Sequence, residues 1–263
     1  MIKPFQAALR ARRWAGLGLS FAMSVMAVAG CQSAPTSDGL TDDDYVDNFE
    51  TIVFYREFDP EVMEHQLTRW ESPLRVALVG DVNERYTAYA IDHLGEMSEM
   101  SGLPVDLASP TDANVVVILS PQPFDQALTT YRKIYRPFFI SDLSMERITA
   151  EMRIEATCYG RIVTAEDDPN EIVGAVILIP TDLGRFIVRA CIIEELTQAM
   201  GLFNDSDSVE PSIFNDSSAN MTLTAHDRIL FRLLYDRRLH TGMSWSEAEP
   251  IVRQALAEMR GQS

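Results

Sequence analysis

The sequence predicts an α+β domain: a mixed sheet backed by helices, with a C-terminal helical part. Three observations predict it. Residues 115–119, Val-Val-Val-Ile-Leu, are apolar on both faces, which only a strand central in a sheet requires. Residues 157–164 and 171–179 are strand-like runs joined by Asp167-Asp168-Pro169-Asn170, a turn sequence. After residue 182 the apolar residues recur at helical rather than strand spacing, so the chain ends in helices.

The elements follow in order. Tyr45, Phe49, Ile52, Val53 and Phe54 share the i, i+3, i+4 spacing of an amphipathic helix. Residues 74–80, Leu-Arg-Val-Ala-Leu-Val-Gly, form a strand opened by Pro73 and closed by Gly80-Asp81. A long helix over 84–101 puts Tyr86, Tyr89, Ala90, His93, Leu94 and Met97 on one face and stops at Gly102. Strands over 105–107 and 114–120 follow, then helices over 124–134 and 145–152. Past the strand pair, Asp182 and Leu183 open a largely apolar helix that runs to Gly201. Thr224 caps a helix over 225–235, and Ser244 with Glu247 forms a capping box for a last one over 245–259.

The amino terminus speaks to location. Lys3, Arg10, Arg12 and Arg13 precede an apolar, small-residue run over 14–29, with no acidic residue before Asp38. That is the pattern of a secretory signal, and the run is short for a membrane span. Val28-Ala29-Gly30-Cys31 resembles the lipobox of bacterial lipoproteins. The resemblance implies lipidation of Cys31 and cleavage before it, with several acyl chains anchoring the protein to a membrane. Gln32 in the next position implies the periplasmic face of the outer membrane. The expected organisation is a signal peptide over 1–30, an acidic flexible tether over 31–43, and one domain over 44–263.

Charge narrows the partners. The chain carries a formal net charge of −17, and loss of the four basic residues of the leader takes it to about −21. Such a surface repels nucleic acid and anionic lipid, so neither is an expected partner. Cys158 and Cys191 remain after the lipid site. In an oxidising compartment an even pair reads as a disulfide, with two buried free thiols as the alternative.

The chemistry concentrates in Glu194-Glu195-Leu196-Thr197-Gln198-Ala199-Met200-Gly201-Leu202-Phe203-Asn204. Its spacing is that of the zinc-protease motif H-E-x-x-H-x-x-G-x-x-H with every histidine replaced. Residues four apart share a helix face, so Glu194 and Gln198 project together, with Cys191 one turn earlier. Gly201 lets the chain fold back and bring Asn204 to the same point. Glu195 stands where the motif's general base stands.

Downstream, Pro211-Ser212-Ile213-Phe214-Asn215 resembles the turn beneath the metal in metzincins, with Phe214 in the methionine place. Leu223-Thr224-Ala225-His226-Asp227-Arg228-Ile229 through Leu234-Tyr235 is similar to the closing helix of the matrixins. Over about residues 70–236 the resemblance implies a zincin-like fold. The chain from Cys191 to Asp216 also resembles a bacterial lipoprotein family, the domain of unknown function 2927. That resemblance implies a shared fold and no established activity.

Three readings of the cluster stand side by side. Glu194, Gln198 and Asn204 offer one carboxylate and two amide oxygens, weak donors for zinc, so no zinc site is expected. His226 is placed on the polar face of its helix, with rescue of a metal site as its minor role. In the first reading the cluster is a buried polar knot that hydrogen-bonds the loop over 202–216. In the second it holds a hard cation such as Ca²⁺, helped by Asp205, Asp207 and Glu210. In the third, Glu194 and Glu195 run acid–base hydrolysis without metal, although neighbours on a helix point about 100° apart. The function expected is that of a non-catalytic binding or structural protein of the cell envelope. It would hold a peptide or envelope protein by strand addition beside 171–179, taken as the edge strand. The alternative is a hydrolase using Glu195 with an unusual metal.

Overall fold

Val115 to Ser120 is buried along its whole length, and the sheet is built around it. The computed structural model describes residues 39–56, 65–135 and 157–261, which fall within one compact unit. The signal and lipidation residues, Cys31 included, and the helix expected over 145–152 lie outside the described residues.

In chain order the strands are β1 (Arg69–Trp70), β2 (Leu74–Gly80), β3 (Val105–Leu107), β4 (Val115–Ser120), β5 (Tyr159–Thr164) and β6 (Glu171–Pro180). The helices are α1 (Asp42–Phe54), α2 (Glu84–Ser101), α3 (Phe124–Tyr135), α4 (Arg185–Gln198), α5 (Ala225–Leu234) and α6 (Trp245–Gly261). The fold is α+β with a mostly parallel sheet: β6, β4, β2 and β3 run parallel in that order, and β1 adds a short parallel pairing to β6. Only β5 is antiparallel, joined to β6 from Tyr159↔Leu178 onward with a register shift at Val163/Thr164.

Period-two alternation divides the sheet's side chains between two cores. Leu74, Val76, Val115, Val117, Leu119, Ala175, Ile177 and Ile179 pack into the large core with α1, α2, α4, α5 and α6. Val79, Val116, Ile118, Val176 and Leu178 face the other way, against Ala127 and Leu128 of α3.

The helix ends follow their local chemistry. Asn83 accepts from the Tyr86 amide at the start of α2, and Gly102 ends it in the left-handed region at φ 72°. Capping boxes at Thr41/Asp44 and Thr224/Asp227 open α1 and α5. Thr41, Asp42 and Asp43 thus belong to the first helix rather than to the tether. The motif helix starts at Arg185, three residues later than Asp182, because Gly184 supplies the cap position without a side chain.

One expectation is corrected. The strand over 171–179 is not an edge: β6 is paired on β4 and on β5. Its continuous apolar run, Ala175 to Ile179, already required cover on both faces. Among the described residues β5 lies outside β6 on that side, and its exposure after Tyr159 is intermediate throughout.

Candidate functional site

Helix α4 carries the motif on a nearly all-apolar body. Val188, Cys191, Ile192, Ile193, Leu196 and Thr197 are buried, and among them Glu195 is only 7% exposed. Glu194 and Gln198 are half-buried on the adjoining face, as four-residue spacing dictates. A disulfide between Cys158 and Cys191, Cα atoms 5.9 Å apart, ties the start of β5 to this helix. Glu195 reaches the same strand. Its Oε2 lies 2.5 Å from where a Cβ on Gly160 would stand, so glycine at 160 makes room for the carboxylate.

The end of α4 is clamped by donors from elsewhere. Trp70 Nε1 donates to Ala199 O at 2.8 Å and Tyr235 Oη to Met200 O at 2.8 Å. Both satisfy carbonyls a helix terminus leaves orphaned. Burial pushes the Tyr235 phenol well up, keeping that donor neutral. Gly201 then turns at φ 119°, and a Cβ there would fall 2.5 Å from Thr68 O. Only glycine fits.

After this turn the chain does not bring Asn204 to Glu194. The amides of Phe203 and Asn204 both donate to Ile52 O, and Asn204 Nδ2 donates to Thr51 O at 3.0 Å. Asn204 therefore satisfies the last carbonyls of α1 and faces away from the motif helix. The residue that comes back is Asp205, whose Oδ1 accepts from Gln198 Nε2 at 2.8 Å. Carboxylate oxygens of Glu194, Asp205 and Asp216 all lie within 4.8 Å of one another. Of the acidic helpers expected, Asp205 alone takes part. Asp207 accepts from Ser217 Oγ at 2.6 Å, and Glu210 is exposed. Asp216 was not anticipated. Its signal in sequence is no more than the repeated pair Asn204-Asp205 and Asn215-Asp216.

The turn over 211–215 is held from below by one carboxylate. Asp227, fully buried, accepts from Ser212 Oγ at 2.6 Å, Ile213 N at 3.0 Å and Thr224 N at 2.8 Å. Ser212 in turn accepts from Phe214 N at 3.0 Å, and Ile213 and Phe214 sink into the core. Burial pushes the Asp227 carboxyl up. The adjoining His226 ring, Ser212 and the two amides outweigh that and hold it below its ordinary value.

His226 is not on a polar face. It is fully buried, its Nε2 3.1 Å from Asn48 Nδ2 and its ring centroid 5.0 Å from that of Tyr45 on α1. The helix expected over 225–235 is present as α5, but this side chain packs against α1 rather than on a polar face. A second buried histidine braces the motif helix. His93 Nε2 lies 2.9 Å from Thr197 Oγ1, whose hydroxyl donates to Ile193 O. On the same helix Glu96 meets Arg228 Nε at 2.5 Å. The His93 ring first, then Arg228, hold the Glu96 carboxyl down at about 2 against its burial.

A protein family described as "Protein of unknown function (DUF2927)" matches residues 42–254. The chain belongs to that family. The span of this DUF2927 domain runs from α1 well into α6 and contains the motif helix, the loop over 202–216 and the Asp227 knot. No curated protein matches the chain.

Chemically, the arrangement around Glu194 offers three carboxylates and an amide, with no imidazole or thiolate among them. Hard oxygen donors of this kind suit Ca²⁺ or a protein cation such as an ammonium or guanidinium, and they do not suit zinc. The described residues contain no helix long and apolar enough to cross a membrane.

Proposed function

We propose that the protein is an envelope lipoprotein, anchored at Cys31 to the periplasmic face of the outer membrane. Its metalloprotease-like domain would bind a peptide or envelope protein and not cut it. The zincin-like part of this reading draws support from the order of elements: strand, long helix, paired strands, motif helix, then a closing helix capped by Thr224. The observation that carries the non-catalytic part is the fate of the three ligand positions. Asn204 is spent on α1, Gln198 turns its amide N–H to Asp205, and Glu194 is left among carboxylates. No catalytic zinc site, which needs three convergent ligands and an open position, follows from that set. The bound segment would lie along β5, the antiparallel edge above α4.

One observation favours a second reading, hydrolysis. Glu195 keeps the general-base place, beside a cluster whose oxygens suit a hard cation. Elemental analysis of the purified mature protein, with casein and envelope peptides as substrates, separates the two. The binding reading expects no stoichiometric metal and no cleavage. A bound metal that disappears in Glu194→Ala, together with cleavage lost in Glu195→Gln, would establish the hydrolase instead.

A further inference from the structure

The start of β5 meets α4 at two successive points, and the two are built differently. Cys191 and Glu195 are four residues apart on α4 and share a helix face. Cys158, just before β5, and Gly160 within it both turn toward that face. Cys158 is bonded to Cys191, and Gly160 stands against the Glu195 carboxylate. Four residues of helix rise about 6 Å and two of extended chain about 6.6 Å, so the second contact falls where the first directs it. The disulfide thus sets the register in which the strand covers the carboxylate.

Over residues 158–160 the bridge is the covalent tie to the helix. Gly160 contributes no side chain, and Tyr159 packs into the opposite core with Val116 and Leu178. Pairing with β6 begins at Tyr159↔Leu178, so Cys158 lies before the ladder. The two sulfurs differ in access: Cys191 is buried, whereas Cys158 is half-buried beside exposed Thr157. Glu195 is a carboxylate covered on a nearly all-apolar helix, so it is the group that gains most from water if the contact loosens.

We propose that the Cys158–Cys191 bridge is a reduction-sensitive clasp that keeps Glu195 covered by β5, and that its reductant is a protein dithiol. One thiolate of the dithiol attacks Cys158 Sγ, the more accessible sulfur, and forms a mixed disulfide. Cys191 leaves as a thiolate and takes a proton. The second thiol of the reductant then displaces Cys158, which is protonated in turn, and the dithiol departs as a disulfide. Two electrons and two protons have passed to the protein. Tyr159 in the small core and the ladder to β6 keep the strand in the sheet. What opens is the contact between strand and helix, and water reaches Glu195. The clasp goes beyond the binding reading and does not depend on it.

The test uses the mature protein, either native or reduced with dithiothreitol and desalted without oxygen. Carboxyl groups are labelled with a carbodiimide and glycine ethyl ester, and Glu195 and Asp227 are read by peptide mass spectrometry. Glu195 of the native protein should stay nearly unlabelled. Reduction should yield two thiols and raise its labelling about tenfold, with buried Asp227 and the circular dichroism unchanged. Cys158→Ser/Cys191→Ala should label like the reduced protein. Gly160→Ala puts a Cβ 2.5 Å from Glu195 Oε2, so it should displace that flexible carboxylate and raise its labelling with the bridge intact. If the bridge of the folded protein resists excess dithiothreitol, or Glu195 labels equally before and after reduction, the clasp falls. Unchanged labelling in Gly160→Ala would show that β5 is not the cover. If Asp227 labels as well and the circular dichroism collapses, the bridge holds the whole fold rather than one contact, and the clasp falls too. Should the double variant fail to fold, the reduced native protein decides.

Discussion

Two acidic centres lie on α4 and the chain that follows it, and they are built in opposite ways. At Asp227 a single buried carboxylate gathers three donors, Ser212 Oγ and Ile213 N from the turn and Thr224 N from the helix cap. At Glu194 three partly exposed carboxylates lie within 4.8 Å of one another, and the Gln198 amide donates to one of them, Asp205. The first arrangement spends its charge on holding the fold. The second brings like charges close together at a partly exposed position. The contrast separates a carboxylate matched to its donors from carboxylates set close to one another.

The largest effect should come from breaking the first centre. Asp227→Asn removes a charged acceptor from under Ser212, Ile213 and Thr224. It should cost about 3 kcal/mol, read as a lowered urea midpoint. Because the folded Asp227 carboxyl sits below its ordinary value, its stabilisation is complete above the unfolded value near 4. It is lost as pH falls through the lowered folded value. The gap between native protein and variant should therefore be full at pH 7 and narrow in acid. An unchanging gap down to pH 2 would show that the carboxylate's charge is not what the turn uses. Glu96, held down at about 2, loses its contribution in the same direction as pH falls through that value.

Next come the two residues that steer the loop between the centres. Gly201→Ala forces a side chain into φ 119° and against Thr68 O, and should cost about 2 kcal/mol or more. Asn204→Ala removes the bond to Thr51 O and should cost about 1 kcal/mol. If Asn204 were instead a ligand of the Glu194 site, its removal would change ligand binding and leave the thermal midpoint in place. Differential scanning calorimetry beside a peptide titration distinguishes these.

The legibility of the molecule divides along the same line. Elements with strong periodicity or caps were readable: the all-apolar β4, the Asn83 to Gly102 helix, and the Thr224/Asp227 box. The Cys158–Cys191 bridge was open in sequence as a pair and is present. Spacing also found Glu194 and Gln198 on one face, since that is a local property of a helix. What spacing could not find depends on contacts distant in sequence. Asn204 is turned by carbonyls of α1 about 150 residues earlier, and His226 is buried by Tyr45 and Asn48 of the same helix. The edge of the sheet was misassigned because a strand's neighbours, unlike its pattern, are set by topology. Gly160 carried the missed clue: a glycine inside a strand often marks a close approach, here that of Glu195.

The smallest effect sharpens the comparison most, because its sign is diagnostic. Asp216→Asn removes one like charge from the exposed cluster. Without a ligand this should raise the thermal midpoint slightly at low salt, by less than about 0.5 kcal/mol in stability, and do nothing at high salt where the repulsion is screened. The same change at Asp227 lowers the midpoint at any salt, since that carboxylate is buried and matched to its donors. A loss of stability in Asp216→Asn at low salt, without any added ligand, would mean that this aspartate is already matched to a donor. The two centres would then be of one kind.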